Sequence, residues 1–279
     1  MPVLRQIRHK IGKSGLRAPL IWLRHRGLDS RDVMLASYPR SGSTWTRFVL
    51  AEIFARESSG FDNVNHFIPE MGIQWPAAAV VPGGGRLIKT HEPYRKEYKR
   101  AIYLVRDGRD AMFSQYSREK ELGIVYTDFD GYLLAFLQGK IAGYGGWHQH
   151  INSWLDSPLE GSGDLLVIRF EEMRKDMETA IAAMLDFLAV PVDAATIRDA
   201  VANNTLDQMR KKENAAQKLH KSASEEGRFV RKGAVAGWRD KLTERQMRLI
   251  DEYAGRALSR MGYPLGSSLT ERVEPVTAS

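Results

Sequence analysis

Residues 35–48 read L-A-S-Y-P-R-S-G-S-T-W-T-R-F. An apolar run from Val33 to Tyr38 passes through Pro39-Arg40-Ser41-Gly42-Ser43-Thr44. Beyond it Trp45, Phe48, Val49, Ile53 and Phe54 recur at helical spacing. The pattern predicts a buried strand, a tight turn and a helix from Ser43 to Arg56. Such a turn presents backbone N–H groups at a helix N-terminus, where the macrodipole favours negative charge. Gly42 permits close approach of the backbone. Ser41, Ser43 and Thr44 add hydroxyl donors, and Arg40 adds a charged fork. The stretch is an anion cradle of the phosphate type. Trp45 is either a stacking face for a base or an ordinary core side chain.

Working outward, Arg86–Thr90, Ala101–Arg106 and Asp164–Phe170 read as three further strands. Helices are expected after Asp107-Gly108-Arg109-Asp110, within 128–155, and over 171–189, 193–202 and 243–260. Residues 58–85, ending in Pro82-Gly83-Gly84-Gly85, and the polar segment 212–236 read as loops. Strands and helices alternate at βαβ spacing. The expected fold is α/β: a single domain with a central parallel sheet flanked by helices. Ligands of such sheets gather at the carboxyl ends of the strands, here after Tyr38, Thr90 and Val105. The domain is expected over 31–266, with a basic segment at 1–30 and a flexible tail at 267–279.

The 279 residues are 43% hydrophobic and carry a net charge of +7. That surplus serves solubility or an anionic ligand. No helix-turn-helix, zinc-finger or RNA-recognition signature supports nucleic acid as a partner. With no cysteine, disulfides, thiolate metal sites and cysteine nucleophiles are excluded. This suits a cytoplasmic location, and no His/Asp/Glu cluster suggests a metal. No apolar run approaches the roughly 20 residues of a membrane span. Residues 1–28 carry Arg5, Arg8, His9, Lys10, Lys13, Arg17, Arg24, His25 and Arg26 and no acid. They read as a transit peptide, a helix making weak contact with a membrane surface, or a solvated basic helix on the domain.

The cradle is not the ATP-binding Walker loop, because the Gly-x-x-x-x-Gly-Lys-Ser/Thr spacing is absent. Instead Tyr38-Pro39-Arg40-Ser41-Gly42-Ser43-Thr44-Trp45 resembles the 5′-phosphosulfate loop of the sulfotransferases that use 3′-phosphoadenosine 5′-phosphosulfate (PAPS). Their pattern is Tyr-Pro-Lys-Ser-Gly-Thr-Thr-Trp. The stretch from Tyr103 to Tyr116 resembles the family's 3′-phosphate site, which implies that Arg106 and Ser114 bind that phosphate. Read alone, Arg106, Asp107, Arg109 and Asp110 would be an ion-pair cluster. Phe229-Val230-Arg231-Lys232-Gly233-Ala234-Val235-Ala236-Gly237-Trp238 resembles the Arg-Lys-Gly-x-x-Gly-x-Trp loop that folds over the nucleotide. It departs from that pattern at Ala236 and Gly237.

The resemblance implies a P-loop-NTPase-like sulfotransferase fold, PAPS as donor, adenosine 3′,5′-diphosphate (PAP) as product, and no metal. The implied nucleotide-binding residues are Arg40, Ser41, Gly42, Ser43, Thr44, Trp45, Arg106, Ser114, Thr205, Arg231, Lys232 and Gly233. Thr205 belongs to a stretch only loosely like the adenine-contacting one, and Leu206 beside it is assigned to core packing. In Lys89-Thr90-His91, the resemblance makes His91 the general base and Lys89 a charge on the transferring group. Arg40 takes the leaving-group role of the family's Lys, and Phe170 stands where many relatives have Tyr.

The acceptor pocket is expected to draw on residues 61–76 and the helices at 126–150, with His66, Phe67, Glu70 and Trp147 as candidates. His66 and Glu70 are also alternative bases. The acceptor class is a small phenol or alcohol, with a saccharide or lipid-like molecule close behind. Two other functions remain open from residues alone: an ATP-dependent small-molecule kinase on a related phosphate-loop fold, or a non-catalytic binder of anions or nucleic acid. No match to the family's C-terminal dimer motif is found, so the oligomeric state stays open.

Overall fold

The computed structural model describes residues 17–121, 123–124, 126–217, 230 and 233–270. Four strands, β1 (Val33–Ser37), β2 (Leu87–Thr90), β3 (Ala101–Val105) and β4 (Leu165–Arg169), form one parallel sheet in the order β2-β1-β3-β4. In register, Val33 lies opposite Leu87, Met34 opposite Ala101, and Ala101 opposite Leu165. The two central strands, V-M-L-A-S and A-I-Y-L-V, are buried at every position. A sheet covered on both faces requires such continuous apolar runs. Successive side chains alternate between faces. Met34, Ala36, Tyr103 and Val105 enter one core, while Val33, Leu35, Ile102 and Leu104 enter the other.

The first face is covered by α4 (Phe129–Leu137), α5 (Trp147–Leu155) and α11 (Glu244–Arg260), through Tyr132, Trp154 and Leu258. The second is covered by α2 (Ser43–Ala55), α8 (Met177–Phe187) and α9 (Ala194–Ala202), through Phe48, Ile181 and Ile197. The remaining helices are α1 (Arg17–His25), α3 (Gly108–Glu121), α6 (Pro158–Ser162), α7 (Phe170–Lys175), α10 (Leu206–Ala215) and α12 (Ser267–Thr270). Among the described residues no helix is long and apolar enough to cross a membrane.

Three differences from the sequence reading have local causes. The helix expected over 171–189 is two helices, because Asp176 turns to extended backbone and its side chain accepts from the N–H of Thr179. A capping side chain starts a new helix where hydrophobic spacing alone continues the old one. Helix α10 runs into the expected 212–236 loop, begun in the same way by Thr205, which accepts from Gln208. Finally, Ser267–Thr270 is helical at the start of the expected tail. Residues 1–16 and 271–279 lie outside the described residues.

Candidate active site

The three loops at the carboxyl ends of β1, β2 and β3 face one cavity of about 470 Å³. The first is the anion turn. Arg40 and Gly42 both take left-handed backbone, at φ of 71° and 91°. Gly42 caps α2, and a Cβ there would lie 2.8 Å from Cδ2 of Phe170. Only glycine meets both demands without strain. Ser41 is buried, and its Oγ has no hydrogen-bond partner among the described residues. An orphaned hydroxyl beside a helix N-terminus suits an incoming anion.

The second loop joins β3 to α3. Arg106 donates to the carbonyl of Arg40 at 2.9 Å and to that of Ala234 at 2.8 Å. Arg40 in turn donates through Nε to Ser114 Oγ at 2.9 Å. Two cradles far apart in sequence are thereby bonded to each other and to the C-terminal loop. The ion-pair alternative is present in part. Asp107 is taken by Arg109 through Nε at 2.9 Å and NH2 at 2.7 Å, and Trp238 Nε1 donates to the same carboxylate at 3.1 Å. The Arg109 guanidinium also lies 3.7 Å from the Trp238 ring centroid. Arg106 instead stacks 4.5 Å from the centroid of Phe170. The Phe in the family's Tyr position thus supplies a cation–π face in place of a hydroxyl.

The third loop follows β2. His91 Nδ1 lies 2.7 Å from the carbonyl oxygen of Ser37, so Nδ1 carries the proton and Nε2 keeps the lone pair. Burial, and then the nearby Lys89 ammonium, hold the His91 pKa well below the usual imidazole range. Lys89 donates to Glu70 at 2.8 Å, and Arg47 approaches the same carboxylate at 3.4 Å. Burial lowers the Lys89 pKa and Glu70 opposes this. Glu70 is correspondingly pulled down, chiefly by Lys89. A doubly paired carboxylate is a poor proton acceptor, which counts against Glu70 as an alternative base.

Arg40, Gly42, Ser43, Thr44, Trp45, Lys89, His91, Arg106, Ser114 and Gly233 all line the cavity. Trp45 is pinned by its Nε1 donating to the carbonyl of Asn204 at 2.8 Å. Ser41, expected among the nucleotide-binding residues, is buried and does not line the cavity. Thr205 is exposed and acts as a helix cap, while its neighbours Asn204 and Leu206 line the cavity. Leu206, assigned to packing, is half-buried there. Arg231 and Lys232 lie outside the described residues.

Of the acceptor candidates only Glu70 lines the cavity. His66 is exposed outside it, and Phe67 packs against the second core. Trp147 is buried beneath the β3–α3 loop, donating to the carbonyl of Arg106 at 3.0 Å and filling the space over Gly108. An indole so enclosed has no face for an acceptor. Phe61 and Val64, both within the expected stretch 61–76, supply an apolar wall together with Phe48.

Sequence reasoning missed Arg47, Arg118 and Arg174, all in the cavity wall. Arg118 could have been found, since it follows Ser114 by one helical turn on α3. Arg174, 5.8 Å from the Trp45 ring centroid, depends on how α7 packs and left no sequence signal. Among the described residues six cations line the cavity (Arg40, Arg47, Lys89, Arg106, Arg118, Arg174) against one carboxylate, Glu70. No group of three or more His, Asp or Glu among the described residues could hold a metal ion. The arrangement suits a ligand with two anionic ends and an aromatic base.

Comparison with known proteins gives a concordant picture. The model of the sulfotransferase domain matches residues 30–262. Mouse sulfotransferase 1B1 is 24% identical over 251 residues, covering 82% of this chain and 83% of its own length. Rat sulfotransferase 1A1 is 24% identical over 255 residues, covering 82% and 84%. The crystal structure of mouse sulfotransferase SULT7A1 complexed with PAP superposes with a TM-score of 0.62 at 25% identity, covering 89% of this chain and 91% of that one.

Proposed function

The chain belongs to the sulfotransferase domain family, and on that premise we propose that it transfers the sulfuryl group of PAPS to a hydroxyl of a small phenol or alcohol, with His91 as general base. The observation that carries this reading is convergence: Arg40, Arg106 and Ser114 form one bonded unit, and it shares a cavity with His91 and Lys89. When bound, PAPS supplies an activated sulfuryl group and two anionic ends. The residues present suit it: the Gly42 turn, the orphaned Ser41 hydroxyl and the surrounding cations at one end, Trp45 and Leu206 for a base.

The chain's own residues then divide the work. Arg40 and the N–H groups at the start of α2 hold the 5′ end and offset charge on the departing phosphate. Arg106, Ser114 and Arg118 grip the 3′-phosphate. Lys89 places positive charge beside the transferring group. His91, neutral and donating from Nδ1 to Ser37, takes the acceptor's proton at Nε2. Phe48, Phe61 and Val64 exclude water around an apolar acceptor. This wall favours phenols and apolar alcohols, lipid-like ones included, over saccharides.

Calorimetry with PAP, with and without a chelator, tests the donor assignment. Tight binding indifferent to chelator is expected, and magnesium-dependent ATP binding instead would point to a kinase. A screen of phenols, alcohols and sugars with labelled PAPS then identifies the acceptor.

A further inference from the structure

We propose that the face built by α1 and residues 72–79 docks on an anionic lipid bilayer. Leu20, Trp22, Leu23, Ile73 and Trp75 are 45%, 66%, 54%, 51% and 68% exposed, five of the eight large apolar side chains on the described surface. Exposure concentrated in this way marks an interaction face. Polar contacts hold the face in place. Arg24 donates through Nε and NH2 to the carbonyl of Met71 at 3.1 and 2.6 Å. Gln74 donates to the carbonyls of Arg24 and Arg26 at 2.8 and 3.1 Å. His25 Nε2 meets Tyr98 Oη at 2.6 Å. The Trp75 ring covers Gly27, where a Cβ would lie 2.1 Å away.

Helix α1 therefore inverts the usual rule. Arg24 and His25 bind it to the domain, while Leu20, Trp22 and Leu23 face outward. A helix seated on a core does the reverse. Charge selects the occupant. Arg24 and Arg26 are exposed on or just after α1, and the Arg26 guanidinium lies 5.3 Å from the Trp22 ring centroid. Residues 1–28 contain seven Lys and Arg and no acid. The nearby carboxylates are already matched: Glu92 is buried 4.0 Å from Arg24, and Asp29 is bound by Arg31 at 2.7 Å. Indoles and leucines beside the Arg24 and Arg26 cations, on a segment without acids, suit the headgroup boundary of an anionic membrane. A second copy of the chain would bring like charges together across the same face.

Sedimentation with vesicles of phosphatidylcholine mixed with phosphatidylglycerol tests the proposal, with pure phosphatidylcholine vesicles as reference. The full chain should bind the mixed vesicles and be released by salt, as screening shortens the range of attraction. Trp22→Ser with Trp75→Ser should weaken binding about tenfold or more, from the apolar area lost. Leu20→Ser with Leu23→Ser, which leaves residues 72–79 untouched, should do the same. Circular dichroism and PAP affinity should be unchanged in both. Equal binding to the two vesicle types, or full retention of binding in both variants, overturns the proposal. So does a salt-resistant dimer that the same substitutions dissolve, because the face then belongs to another copy of the chain.

Discussion

Burial and the Lys89 ammonium both press His91 toward its neutral form, which sets the sign of its pH dependence. A base with a lowered pKa stays ready as pH falls through 7 and is lost only when pH reaches its own lower value. The acid limb of kcat/KM should therefore fall below the ordinary imidazole pKa of about 6.5. An acid limb at or above that value would count against His91 as the group being titrated. His91→Ala should lower kcat by about two to four decades while leaving PAP affinity nearly intact by calorimetry. Arg106→Ala should weaken PAP far more than adenosine 5′-phosphosulfate, which lacks the 3′-phosphate; equal losses would remove Arg106 from that role. At Gly42, φ of 91° and the Phe170 ring 2.8 Å from a Cβ leave no room for alanine. Gly42→Ala should cost about 1–3 kcal/mol in denaturant unfolding and abolish PAP binding. Gly42 was legible in the sequence as a close-approach glycine. Phe170 as the surface it approaches was not, because the contact crosses more than a hundred residues of chain.

The segment Gly233–Trp238 has little regular structure and is held by contacts to other elements. Ala234 receives Arg106, and Trp238 donates to the carboxylate of Asp107, already bound to Arg109. Its order is thus borrowed from the β3–α3 loop. Trp238→Phe keeps most of the apolar volume but removes the N–H donor. It should cost about 1–3 kcal/mol by thermal or chemical unfolding, and also weaken PAP binding as Ala234 loosens. A stability loss with unchanged PAP affinity would show that the segment does not cover the nucleotide. The strands were legible nearly to the residue, because continuous apolar runs between polar turns have few other readings. Helix limits were less so. Asp176 and Thr205 begin helices through side-chain oxygens, a signal that hydrophobic spacing does not carry.

Across the whole molecule, the proposed donor site draws on the ends of β1, β2 and β3 and on α2, α3, α7 and α10, so ligand binding and folding should be linked. PAP at a hundredfold excess over its Kd should stabilise the chain by about 2.7 kcal/mol, raising the Tm, with no effect of added chelator. With six cations among the described residues on the cavity wall, PAP affinity should also fall as salt rises. The sequence alone determined the parallel α/β sheet, the tight turn between β1 and α2, and the family, because these reside in local runs and fixed spacings. Tertiary structure decided the rest. It placed Trp147 in the core, His66 outside the cavity, and Arg118 and Arg174 within it. It chose the Nδ1 tautomer of His91 and tied Arg40 to Ser114 and Arg106. Side-chain partners, burial and charge balance depend on which distant segments meet, and no single stretch of sequence contains that information.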